Sequence, residues 1–357
     1  MNCYIHVPFC ANKCGYCAFY SETAVKAEHI DAYLTRLEQS IVPEKVKTLY
    51  IGGGTPTLLS VEQLARFIRI LQENFFYQPG CEKSIEANPE TLSEEKVALL
   101  RTFFTRISLG IQSFDENLRS RIGRKCSQYA LEKALYMVKE AQFPHWNCDL
   151  IYSLPDENMS NWERDLHFAA NSGADHISCY SLTPERSAIM GDEFAEDDEK
   201  EREMYLTAEK ILSSYGIVRY EISNYSRPGG ECRHNQNVWR GEKLRGYGPA
   251  AAGFDGVDRH IQVESLEKWL TGVPPEKDHI SPDERLNEIF AVNLRTVNGW
   301  TPEIWARVPG ADQWSNRLKK AEMAEKKYPG CLQISSARII LTPDGLLFWN
   351  DIAAELL

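Results

Sequence analysis

Six short runs of apolar and β-branched residues, each followed by an amphipathic stretch, fill the first two thirds of this 357-residue chain. The runs cover 3–9, 48–53, 83–88, 106–112, 147–153 and 176–182; the amphipathic stretches cover 27–41, 61–75, 93–103, 128–141, 160–171 and 198–214. Strands separated by helices in this way lie parallel, because a parallel pair needs a long crossover, and such crossovers are right-handed. Six units therefore curl into a partial (β/α)6 TIM-like barrel or spread as an open doubly wound sheet, with functional side chains at the strand C-termini. Helix starts agree: Ser60 is followed by Gln63, and Ser93 by Lys96 where Glu or Gln would be ideal. The acidic run 192–203 reads as a solvated helix start.

After Gly216 the pattern changes. The expected division is a barrel over 1–220, an irregular basic and aromatic segment over 221–280, and a small α+β C-terminal domain over 281–357 with a hairpin (332–340, 346–349) and a short last helix. Lys plus Arg number 40 against 51 Asp plus Glu, a net charge of −11, which argues against a broad grip on nucleic acid phosphates. No apolar run approaches the length of a membrane span, and the N-terminus lacks a secretory signal pattern, so a reducing cytosol is the expected compartment. There, clustered cysteines point to metal or redox chemistry rather than to disulfides.

Three of the ten cysteines are clustered, in Cys10-Ala-Asn-Lys-Cys14-Gly-Tyr-Cys17 directly after the first predicted strand. Three thiolates within eight residues can hold three corners of a [4Fe-4S] cluster, and where a fourth cysteine is missing one iron stays open to an outside ligand. A zinc site completed by His6 and unligated thiols are the competing readings. Cys148 and Cys179 lie inside predicted strands and read as small buried hydrophobes; Cys3, Cys81, Cys126 and Cys331 suggest no partners. His6 and His176, in apolar strands, read as satisfied barrel histidines.

Cys-x3-Cys-x2-Cys with an aromatic before the last cysteine resembles the radical SAM superfamily, in which the open iron chelates S-adenosylmethionine (SAM) and a reduced cluster can cleave it to a 5′-deoxyadenosyl radical. Tyr4-Ile-His-Val-Pro-Phe-Cys10, Tyr50-Ile-Gly-Gly-Gly-Thr-Pro56, Ile85-Glu-Ala-Asn-Pro89, Ser108-Leu-Gly-Ile-Gln-Ser-Phe114, Gly123-Arg124 and Asp149-Leu-Ile-Tyr-Ser-Leu-Pro155 resemble, in order and spacing, the oxygen-independent coproporphyrinogen III oxidase group. That resemblance implies cluster ligation by Cys10, Cys14 and Cys17. It implies a SAM site of Tyr4, Tyr16, Gly53, Gly54, Thr55, Glu86, Gln112, Arg124 and Asp149, with Glu86 at the methionyl amino group and Asp149 at the ribose. Independently, glycine backbone at 52–54 can approach a ligand closely, and carboxylates in strands are costly to bury without a partner. A ligand-free turn at the glycines and internal salt bridges at the carboxylates are the alternatives.

Within that group, Phe19 stands where the coproporphyrinogen dehydrogenases carry a fourth cysteine, and the Tyr-x-His motif begins at residue 4 without their N-terminal extension. The closer resemblance is to the group's heme chaperones. It implies heme as ligand, heme-accepting proteins as partners, an electron donor, and SAM cleavage as a possible activity. An enzyme acting on a porphyrin is the alternative. The stretch 227–245 holds five basic and two acidic residues, suited to propionates. Within it, Cys232-Arg-His234-Asn-Gln-Asn-Val-Trp239 resembles the chaperones' His-Asn-x-x-Tyr-Trp heme motif, with Val238 in place of Tyr. His234 is an axial iron ligand on this reading, with Cys232 as a thiolate alternative; structural hydrogen bonding and a proton role for His234 stay open.

Overall fold

The computed structural model describes residues 1–23, 25–182 and 197–357. Its core repeats one unit: β1 (Asn2–Val7), α1 (Ala27–Ser40), β2 (Glu44–Gly53), α2 (Val61–Asn74), β3 (Phe75–Ala87), α3 (Glu94–Arg101), β4 (Arg106–Gln112), α4 (Glu116–Arg121), α5 (Gln128–Ala141), β5 (His145–Tyr152), α6 (Met159–Asn171), β6 (His176–Ser181) and α7 (Asp198–Ser214). Strands β1 to β6 are hydrogen-bonded neighbours in sequence order, each parallel to the next. A doubly wound sheet would reverse direction part-way. Unreversed order with right-handed crossovers puts the helices on one face and curls the sheet, giving the TIM-like partial barrel.

The helices start where their side chains cap them. Ser60 and Gln63 form a reciprocal capping box on α2, and the Ser93 hydroxyl accepts the Lys96 amide of α3. Asp197 caps α7, which begins inside the acidic run; residues 192–196 of that run lie outside the described residues. Strand β3 begins eight residues before the expected start. Pro79-Gly80 interrupts its pattern, yet Glu44 to Val46 of β2 pair with Phe75 to Tyr77 before a register shift. Helix α4 is absent from the sequence reading because ENLRSR is six residues long with a single apolar one, too short to show a period.

The segment expected to be irregular is instead built from short elements that extend the sheet. After β7 (Val218–Arg219) come β8 (Asn224–Ser226), α8 (Arg233–Trp239), β9 (Leu244–Tyr247), β10 (Ala252–Phe254), β11 (Asp258–Ile261), α9 (Leu266–Leu270) and β12 (Glu276–His279). Strand β9 pairs parallel to β1, β10 to β12 continue antiparallel beyond it, and β8 with β7 extends the other edge past β6, twelve strands in all. Strands of two to four residues carry too little periodicity to be read. The C-terminal elements are α10 (Pro282–Asn293), α11 (Pro302–Trp305), α12 (Trp314–Lys327), β13 (Leu332–Ser335), β14 (Arg338–Leu341), α13 (Pro343–Leu347) and α14 (Trp349–Leu356). The hairpin is tighter than expected: β13 pairs with β14, while 346–347 end α13 and 349 opens α14. Thr342 caps α13 with Pro343 at its first position, a helix start inside what reads as an apolar strand.

The floor of the barrel is polar, and both ring nitrogens of its histidine are bonded. His176 bonds Asn147 at 2.6 Å and the Tyr220 hydroxyl at 2.8 Å, so it is the satisfied residue expected. Cys148 and Cys179 are buried; burial pushes the Cys148 thiol up to about 12.

Candidate functional site

The cysteine loop is fastened to the β2 turn by backbone bonds. Gly54 N–H donates to Val7 O (2.9 Å), Thr55 N–H to Phe9 O (2.7 Å), and Cys10 N–H to Glu22 O (3.0 Å). A Cβ on Gly54 would lie 2.7 Å from Phe9 O, and Gly53, at φ +107°, would drive one to 2.6 Å from the His6 ring. Glycine at these two positions is thus what lets the loop and the turn touch.

Cys10, Cys14 and Cys17 line one cavity of about 380 Å³ at the strand C-termini, together with Tyr16, Gly53, Gly54, Thr55, Glu86, Gln112, Arg124 and Asp149. Ser108, Gly110 and Gln112 on β4, and Asp149 and Ile151 on β5, reach it by strand alternation. Gln112 sits at φ +70° beside a register shift in β4, which re-aims its side chain. Glu86 accepts from Tyr50 Oη (2.9 Å) and from Gly53 N–H (3.1 Å); burial and then the nearby Asp149 carboxylate still push its carboxyl up to about 7. Burial also raises Asp149, although the Ser108 hydroxyl and the Asn147 amide both donate to it at 2.7 Å. Arg124 donates to Gly110 O (2.7 Å) and lies 3.9 Å from Cys14 Sγ. Tyr16 also packs against Leu118, Ile122, Ile151, Leu154 and Leu182.

The donor set fits an iron–sulfur cluster better than zinc. Among the described residues, only Asp255, Asp258 and His260 bring three ligand atoms within 4.8 Å of one another, so the thiols are more widely spread than a single ion would hold them. His6 cannot complete a zinc site without breaking bonds, since its ring nitrogens face Tyr4 Oη (3.1 Å) and Tyr20 O (2.8 Å). Arg124 Nε, Ser21 Oγ and Ser181 Oγ are buried without a partner, and all three residues line the cavity, as an absent polar ligand would leave them.

Tyr4 does not join this cavity. Tyr50, its register partner on β2, takes the place beside Glu86, and Tyr4 faces a second cavity of about 470 Å³. That cavity is lined by Tyr4, His6, Phe19, Tyr20, Tyr50, Glu86, His234, Val238 and Trp239; Phe19, Tyr50 and Glu86 wall both cavities.

His234 is the second residue that stands apart from the cysteines. Helix α8 closes the barrel floor: Asn237 donates to Asn2 Oδ1 (2.9 Å), Arg106 to Gly230 O (2.8 Å), and the buried Glu82 accepts the His234 amide (2.9 Å). Thr48 gives its only hydroxyl hydrogen to Asn2 Oδ1 (2.8 Å), so at 2.9 Å from His234 Nδ1 it acts as acceptor, and Nδ1 carries the ring proton. Nε2 then holds a free lone pair, with no hydrogen-bond partner among the described residues. Burial lowers the ring to about 4, keeping it neutral at physiological pH. Cys232 does not line either cavity, and burial raises its thiol to about 12, which opposes the thiolate alternative.

Comparison with known proteins fits this geometry. The radical SAM superfamily profile matches residues 4–169. The heme chaperone HemW of Bacillus subtilis is 30% identical, with 98% of this chain and 97% of that protein covered. HemW of Mycobacterium tuberculosis (strain H37Rv) is 37% identical over 73% of this chain and 71% of its own. This chain belongs to the HemW family of radical SAM proteins. The solved structure of coproporphyrinogen III oxidase (HemN) from Escherichia coli shares its fold, with a TM-score of 0.86 at 20% identity, covering 99% of this chain and 89% of that one. The radical SAM superfamily implies a [4Fe-4S] cluster and SAM. No helix among the described residues is long and apolar enough to cross a membrane.

Two residues of this HemW-family site went unread in the sequence. Asn88 accepts from Arg124 and donates to Thr55 Oγ1 (3.0 Å), joining two sides of the cysteine cavity; its place in Glu-Ala-Asn-Pro was the available signal. Tyr50 divides the two cavities, and its position directly before the glycine turn was the corresponding one.

Proposed function

We propose that this chain binds heme and passes it to other proteins, on a radical SAM scaffold in which Cys10, Cys14 and Cys17 hold a [4Fe-4S] cluster. Gly53, Gly54 and Thr55 would bind the carboxylate of SAM, Glu86 its amino group, and Asp149 its ribose, with Gln112 and Arg124 at the remaining polar groups. When bound, a reduced cluster supplies an electron and SAM an acceptor for it; the protein positions both and keeps water away. An electron donor is a further partner on this reading. The segment 1–220 carries the cluster and SAM residues, 221–280 the heme motif.

Heme docks in the second cavity. The observation that carries this is the lone pair on His234 Nε2, held neutral and oriented by Thr48 as axial ligands are by a hydrogen bond to their other nitrogen. Tyr4, Tyr50 and Trp239 offer aromatic faces to a porphyrin. Titrating heme into the protein with its cluster intact tests the reading: a shifted Soret band is expected, and it is lost in His234→Ala. No shift, or an unchanged shift in the variant, overturns it.

The wall shared by the two cavities favours one second reading, radical chemistry on the porphyrin itself, because Phe19, Tyr50 and Glu86 touch both spaces. Anaerobic incubation with reductant, SAM and each tetrapyrrole separates the two. 5′-Deoxyadenosine with an altered tetrapyrrole supports the enzyme; neither product removes it.

A further inference from the structure

A crevice of about 900 Å³ lies on the other side of α8, between the α8–β9 turn and the C-terminal elements α10 and α11. Four cationic side chains line it: Arg240 and Lys243 from the turn, Arg285 from α10, and Arg307 just past α11. Among the described residues none of the four forms an ion pair; Arg285 spends one N–H on Pro309 O. The two acids in the lining are engaged elsewhere. Glu242 pairs with Lys47 (2.8 Å). Asp255 accepts from the Asp258 and Val257 amides (2.9 Å each) and pairs with His260 (2.8 Å), and these bonds hold its carboxyl well below the usual range. Four positive charges, none of them in an ion pair among the described residues, thus converge in a chain of net charge −11.

The floor between them is apolar. Trp300 and Val308 are buried there, and the Trp300 N–H is already given to Phe290 O (2.9 Å). Cations on both sides of an open apolar trough suit a chain with several carboxylates and interspersed apolar side chains, which a single small anion would not span. Arg240 follows Trp239 of the His234 cavity directly and lies six positions along from His234, a rise of about 9 Å.

We propose that this crevice docks an acidic segment of the protein that receives heme. The proposal rests on the heme-delivery reading: a partner held there has its surface beside the heme cavity. Fluorescence anisotropy with a fluorescein-labelled peptide of Glu and Leu in the repeat Glu-Glu-Leu, added to the full-length protein, tests it. Saturable binding that weakens with salt is expected, lost at least tenfold in the triple variant R240E/K243E/R307E and absent with the Gln-for-Glu peptide. No saturable binding, retention in the triple variant, or displacement by free glutamate or sulfate at the peptide's own concentration overturns it. Arg240, Lys243 and Arg307 are exposed, so the triple variant should keep its thermal midpoint. His234→Ala should keep peptide binding, which separates failure of this docking site from failure of the heme site.

Discussion

Replacing Gly52 with alanine should uncouple the SAM site from the fold. Gly52 has no unusual backbone angle, but a Cβ there would lie 2.8 Å from Cδ and both oxygens of Glu86. Contacts that short do not persist, so the carboxyl must move by several tenths of an ångström. It would stretch the bonds to Gly53 N–H (3.1 Å) and Tyr50 Oη (2.9 Å) that aim it into the cavity. A hydrogen bond to a charged group contributes about 1.5–3 kcal/mol, so losing this alignment should weaken SAM binding by roughly 10- to 100-fold. The atom displaced is the end of a flexible side chain, so stability should change by less than about 1 kcal/mol, with part of any cost offset by the lower entropy of alanine in the unfolded chain. Gly53→Ala is the control: at φ +107° and 2.6 Å from the His6 ring, its Cβ strains the backbone itself and should lower the melting temperature clearly. Isothermal titration of SAM onto the anaerobically reconstituted protein, with a melt of the same samples, reads both effects. SAM affinity of Gly52→Ala within twofold of wild type, or a melting loss equal to that of Gly53→Ala, refutes the reasoning.

Glu86 adds a pH dependence. Its carboxyl is raised from the ordinary 4.5 to about 7, so the folded chain holds that proton more tightly than the unfolded one. Its contribution favours the fold below pH 4.5 and is lost as pH climbs toward 7. SAM, a cation, prefers the carboxylate, so affinity measured by titration between pH 5.5 and about 8 should rise until about pH 7 and then level, and Glu86→Gln should flatten that rise. His234 gives the opposite expectation. Lowered to about 4, it stays neutral, and heme affinity should not follow an ordinary histidine titration near 6.5 in Soret titrations over the same range. Thr48→Val removes the acceptor that fixes the His234 tautomer and should cost about 1–3 kcal/mol of stability together with a weaker Soret shift. Val238→Tyr adds an aromatic face to the second cavity and should tighten heme about fivefold, by the roughly 1 kcal/mol an aromatic contact contributes, read by competition with apomyoglobin.

What could be read in advance depended on local pattern. Strands β4 and β6 and helix α5 fall within one residue of expectation at each end because an unbroken apolar run or a full amphipathic stretch marks them. The cysteine cavity was legible because strand C-termini of a parallel barrel converge, so Glu86, Gln112 and Asp149 could be assigned to one mouth from strand position alone. Tyr4 lies in the second cavity rather than with the cysteines because strand position does not say which space each of two register partners faces; it is Tyr50 that bonds Glu86. The packing of α8 against the barrel floor was invisible for another reason: the partners of His234, Thr48 and Glu82, are 186 and 152 residues away in sequence. No local signal encodes that separation.

The most direct test of the account is the electron paramagnetic resonance spectrum of the anaerobically reduced protein, recorded with and without SAM. A [4Fe-4S] signal whose g values shift on adding SAM is predicted, with the signal abolished in Cys14→Ser. A spectrum indifferent to SAM, or protein that carries stoichiometric zinc instead, would contradict an open iron at the mouth of this barrel.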